Sequence, residues 1–91
     1  MRVGQSRRRD TVEAPIVRDL RKLGYTVIAI SGRGAPDAIV ISPQRQCRVG
    51  EFKGKHGKLT AAQIESGAGV LWPVWQSLQD VLDTFELREC R

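Results

Sequence analysis

Residues 34–53 read GAPDAIVISPQRQCRVGEFK, and their order decides the fold. Gly34-Ala35-Pro36 is turn chemistry. Asp37–Ser42 is an apolar, β-branched run that reads as a strand. Pro43-Gln44-Arg45 breaks it, and Cys47–Lys53 reads as the next strand. Side chains alternate along a strand, so Glu51 and Lys53 share one face and Phe52 points to the other. Asp37 opens the preceding strand, and neighbouring strands lie about 4.8 Å apart. Pairing that sets Asp37 level with Glu51 brings two carboxylates and an ammonium together.

Working outward, residues 11–23 carry Ile16, Val17, Leu20 and Leu23 at helical spacing, and Gly24 is a stop. Pro15 belongs in a first turn, so the regular helix is expected to begin near Glu13. Glu13 falls on the apolar side of that helix, where a carboxylate needs a partner. Tyr25–Ser31 reads as a first strand, followed by the turn Gly32-Arg33-Gly34-Ala35-Pro36. On the other side, Gly54-Lys55-His56-Gly57-Lys58 is a basic loop. Thr60–Ser66 is a short helix with Thr60 as N-cap and Gln63 at the capping-box position. Val70–Trp75 is a fourth strand, and Pro73 assigns it to a sheet edge. Trp72 and Trp75 then lie on opposite faces, one in the core and one available to a subunit interface. Ser77–Glu86 is a helix with the stripe Leu78, Val81, Leu82 and Phe85.

The order α-β-β-β-α-β-α predicts an α/β fold with a mixed four-stranded sheet. The continuous apolar runs of its strands predict helices on both faces. Residues 1–9 are read as a basic flexible arm and residues 10–91 as a single domain. A chain of 91 residues has room for one small domain only.

Fifteen Lys and Arg against ten Asp and Glu give a net charge of +5, which suits a polyanionic partner. Charge alone does not choose among nucleic acid, an acidic membrane surface and solubility. Apolar runs reach only four or five residues, for example Val27–Ile30, far short of the roughly 20 of a spanning helix. Cys47 and Cys90 have no metal-binding spacing and read as free thiols of a reducing compartment, the cytoplasm. Two Cys and one His are too few for a zinc site.

The chemistry therefore concentrates at Glu13, Asp37, Glu51 and Lys53. Hard oxygen ligands select Mg²⁺ or Mn²⁺. Clustered carboxylates repel one another unless a cation joins them. Such a cation suits phosphodiester hydrolysis, with Lys53 orienting the attacking water or stabilising developing charge. Arg33, Lys55, His56 and Lys58 are candidates for DNA backbone contacts, or simply solvated turn residues. Gln63 either completes the capping box alone or also serves the site.

Gly34-Ala35-Pro36-Asp37, thirteen residues, then Glu51-Phe52-Lys53 resembles the PD-(D/E)XK nuclease signature. Gly57-Lys58-Leu59-Thr60-Ala61-Ala62-Gln63 resembles the segment that follows the third strand in VRR-Nuc domains, and Glu13 is similar to that family's helical Glu. The likeness covers roughly residues 10–86; Ala35 in the turn and Pro15 beside Glu13 depart from the pattern. The resemblance implies a restriction-endonuclease-like core. It assigns Asp37 and Glu51 to the metal, with the Phe52 backbone carbonyl as an extra ligand and Glu13 as a ligand directly or through water. Lys53 becomes the catalytic lysine, and Gln63 supports the site or the scissile phosphate. Stand-alone relatives of this size are similar to phage and bacterial enzymes that cut branched DNA, notably Holliday junctions, as homodimers. A flap or single-strand nuclease of the same fold, and a non-catalytic DNA-binding subunit, are the alternatives.

Overall fold

The computed structural model describes residues 12–86. The basic arm expected at 1–9 and Cys90 lie outside the described residues. The elements run α1 (Glu13–Lys22), β1 (Thr26–Ala29), β2 (Ala38–Ile41), β3 (Cys47–Phe52), α2 (Ala61–Ser66), β4 (Val74–Trp75) and α3 (Leu78–Glu86). This is the expected α-β-β-β-α-β-α order.

Local signals set most boundaries. Helix α1 carries Glu13 in its first turn and Arg21 and Lys22 in its last, both favourable to the helix dipole. Gly24 ends it at φ +92°, a conformation open to glycine. Its N–H donates to the Arg21 carbonyl at 3.1 Å and that of Tyr25 to the Leu20 carbonyl at 3.0 Å, the two bonds of a Schellman motif. Helix α3 is capped by Ser77, whose Oγ accepts from the Asp80 N–H at 3.2 Å.

The sheet order is β1-β2-β3-β4. β1–β2 and β2–β3 are antiparallel, and β3–β4 is parallel. The sheet is therefore mixed, and the parallel pair is joined through α2. The register Val27↔Val40, Ala38↔Gly50 and Phe52↔Trp75 assigns these residues to one face. There they bury against Ile16 and Leu20 of α1 and Val81 and Phe85 of α3. Trp75 lies across Gly50: a Cβ on that glycine would overlap the indole ring.

Two expectations are corrected. The fourth strand is Val74–Trp75 rather than Val70–Trp75. Val70 and Leu71 are 86% and 74% exposed, because Gly67 (φ +120°) and Gly69 (φ +82°) fold the chain into a turn before it reaches the sheet. The helices expected on both faces cover only one of them fully. The second face carries Ile28, Ile39, Ile41 and Val49, and Ile28 is 47% exposed. Helix α2, six residues and so about 9 Å long, is too short to roof that face.

Gly50→Ala is expected to lower stability by about 1–3 kcal/mol, since the methyl group must displace the Trp75 ring. Urea unfolding measures this as a lower midpoint at an unchanged slope.

Candidate active site

The site forms where β2 begins and β3 ends. Asp37 precedes β2 but continues its ladder. Its N–H donates to the Gly50 carbonyl at 2.9 Å, and its carbonyl accepts from the Ile30 N–H at 2.8 Å. The pairing Ala38↔Gly50 thus carries on to bring Asp37 beside Glu51. The Asp37 side chain is fixed as well: Oδ2 accepts from the Phe52 N–H at 2.8 Å.

The turn before Asp37 also positions α2. Gly34 adopts φ +77°, and a Cβ there would meet the Ala62 carbonyl oxygen at 2.8 Å and Ser66 Oγ at 2.7 Å. Only a glycine lets the two backbones approach so closely. Helix α2 then holds Gln63 over Glu51. Gln63 completes the capping box and also reaches Glu51. Its Oε1 accepts from the Thr60 N–H at 2.8 Å, while its backbone N–H donates to Thr60 Oγ1 at 3.1 Å. Its Nε2 donates to Glu51 Oε2 at 2.5 Å.

Glu51 is 0% exposed. Its N–H donates to the Pro73 carbonyl at 3.0 Å, which ties it to the edge of the sheet. Its Oε1 is buried without a hydrogen-bond partner. Burial pushes the Glu51 carboxyl above its ordinary value of 4.5, and the nearby Asp37 charge adds to the rise. The Trp72 indole, the Lys53 charge and the Gln63 amide oppose it. The Trp72 indole N–H lies close enough to act on the Glu51 carboxyl, yet it makes no hydrogen bond of ordinary geometry.

Lys53 follows β3, with its N–H donating to the Trp75 carbonyl at 3.0 Å. Asp37, Glu51, Lys53 and Gln63 therefore share one end of the sheet, and the Phe52 backbone lies between Glu51 and Lys53. Val12 at the start of α1 packs at 4.0 Å from a Cβ built on Gly54, so Glu13 stands near the same end. Among the described residues, however, no three His, Cys, Asp or Glu side chains gather around one cation position. The β2–β3 pairing sets the carboxylates of Asp37 and Glu51 side by side.

Arg33 lines a cleft of about 470 Å³ together with Asp37, Thr60 and Gln63. Lys55, His56 and Lys58 are exposed on the loop after Lys53. Arg33 thus shares a cleft with Asp37, and the basic loop follows directly on Lys53. A larger hollow, about 770 Å³, lies at the opposite end of the sheet around Leu23, Tyr25 and Phe85 and holds none of these residues. Trp72 is the site neighbour that sequence reading missed as such. Its signal was register: Glu51 pairs with Val74, two residues along from Trp72.

The donor set fits a hard divalent cation. All its side-chain donors are oxygens, two are carboxylates, and Oε1 of Glu51 is buried and unpartnered. A carboxylate left so in an apolar interior is costly unless a charge joins it.

Between pH 4.5 and the raised value of Glu51, the folded chain holds more protons than the unfolded one. Stability of the metal-free protein therefore falls as pH rises through that window. Glu51→Gln removes the effect. It is expected to raise the melting temperature clearly at pH 7 and little at pH 4. An equal gain at both values would contradict a desolvated carboxylate.

No family model, curated protein or solved structure matches this chain.

Proposed function

We propose that this chain is a metal-dependent endonuclease that hydrolyses phosphodiesters in branched DNA. The observation that carries the reading is the buried Glu51 carboxylate, unpartnered at Oε1, beside Asp37 and within the field of Lys53. Asp37, Glu51 and the Phe52 carbonyl would hold Mg²⁺ or Mn²⁺. Once bound, the cation would neutralise phosphate charge and acidify the attacking water.

The protein's own residues supply the rest. Gln63 holds Glu51 Oε2 and so fixes the plane of the carboxylate. The Phe52 N–H holds Asp37 Oδ2 in the same way, leaving Oδ1 to turn toward the cation. Lys53 orients the water or meets the negative charge that builds on the phosphate. Arg33, Lys55, His56 and Lys58 grip phosphates on either side of the scissile bond. A net charge of +5 draws the polyanion in. The resemblance to stand-alone VRR-Nuc nucleases supports a four-way junction as the substrate. Cutting two strands symmetrically needs two sites, and hence a two-fold homodimer.

The test is cleavage of a labelled immobile four-way junction, a flap and a linear duplex in Mg²⁺, Mn²⁺ or EDTA. Paired incisions in the junction are expected with metal and none with EDTA. Lys53→Ala should slow cutting by about 10²–10³-fold without lowering the melting temperature. Cutting of the flap alone would keep the chemistry and change the substrate. Tight binding with no cutting would make the chain a binding subunit.

Junction binding in Ca²⁺ should weaken about 10³-fold or more between 50 and 200 mM salt if six or more phosphates are contacted. A flat response would remove the basic residues from the interface.

A further inference from the structure

Trp72 lies on the stretch that leads into β4. Glu51 pairs with Val74, and its N–H bonds the Pro73 carbonyl. Trp72 is two residues from Val74 and therefore faces the same side of the sheet as Glu51. Trp75 takes the other side and packs with Phe52 in the core. The backbone of Trp72 is fixed from both directions. It bridges Ala68, in the turn that follows α2, and its carbonyl accepts from the Gly69 N–H at 2.7 Å.

The indole Nε1 of Trp72 is buried and has no hydrogen-bond partner. Among the described residues the one other buried side-chain atom in that state is Glu51 Oε1. One is a donor and the other an acceptor, and they lie on one face of the sheet. Leaving both unpaired is costly, so their placement calls for an explanation. A carboxylate oxygen has two lone pairs, and one can accept an N–H while the other faces a cation. An indole donates and never accepts. It can therefore orient the carboxylate without competing as a ligand.

We propose that Trp72 is the positioning residue for Glu51: its indole N–H closes on Oε1 when the carboxylate holds a divalent cation. This rests on the metal-holding reading of the site given above. With Gln63 on Oε2, Trp72 fixes the carboxylate from both oxygens, and the remaining lone pairs turn toward the position shared with Asp37. The indole already lowers the Glu51 pKa against the effect of burial.

The experiment follows the two indole N–H resonances of the ¹⁵N-labelled full chain by NMR as Mg²⁺ is added. Trp75 is the internal reference, because its Nε1 already donates to Thr84 Oγ1 at 2.9 Å. The Trp72 resonance is expected to move downfield on metal binding while that of Trp75 stays in place. In calorimetry, Trp72→Phe should weaken Mn²⁺ binding about tenfold or more, and Trp72→His, which keeps a ring N–H, should recover part of the loss. Glu51→Gln should abolish both the heat and the shift. Metal binding to the wild type with a stationary Trp72 resonance, or with equal affinity in Trp72→Phe, would overturn the role of Trp72 and leave the nuclease reading standing. Absence of any heat or shift in the wild type would overturn both. The indole titration needs no substitution, so a Trp72→Phe chain that fails to fold does not remove the test.

Discussion

A carboxylate with no exposure to water, set beside a second carboxylate, is the constraint around which this small fold is arranged. Glu51 is 0% exposed, and burial and Asp37 both disfavour its charged form. In a core of this size such a group is tolerated only where the surrounding elements supply opposing dipoles and charge. Gln63 supplies one from α2, Trp72 another from the approach to β4, and Lys53 a third from the end of β3. Three separate parts of the chain therefore converge on one side chain.

That convergence depends on close approach at two glycines. Gly34 lets the turn before Asp37 lie against Ala62 and Ser66, which brings Gln63 over Glu51. Gly50 leaves room for the Trp75 ring on the opposite face, which seats β4 against β3 and draws Pro73 and Trp72 alongside Glu51. The Asp37 carboxylate, bonded to the Phe52 N–H, links β2 to the end of β3 at the same level. The apolar core on one face thus sets the positions of the polar groups on the other. Fold stability and site geometry are coupled through the last residues of β3.

Much of this was legible in local sequence. The alternation Glu51-Phe52-Lys53, the cap at Thr60, the stop at Gly24 and the stripe of α3 each follow from the geometry of one element, and the structure carries them. Readings that depended on distant partners were less complete. Val70 and Leu71 look like strand residues by composition, yet two left-handed glycines turn them into solvent. The second face of the sheet looks buried by hydropathy, yet the six residues of α2 do not span it. Trp72 read as core or interface because nothing near it in sequence announces a carboxylate.

Sequence by itself determined the element order, the α/β class with its mixed four-stranded sheet, and the candidate acids Asp37 and Glu51 with Lys53. These follow from periodicity, turn chemistry and the fixed spacing of strands, which act over a few residues. Tertiary structure alone decided that Gln63 both caps α2 and holds Glu51, that Asp37 stands level with Glu51, and that Trp72 joins the side of the sheet that carries Glu51. The reason is physical: which side chains meet across a sheet depends on register and on the approach of helices. Both are set here by the packing of Gly34 against α2 and of Gly50 against Trp75, contacts between residues far apart in the chain.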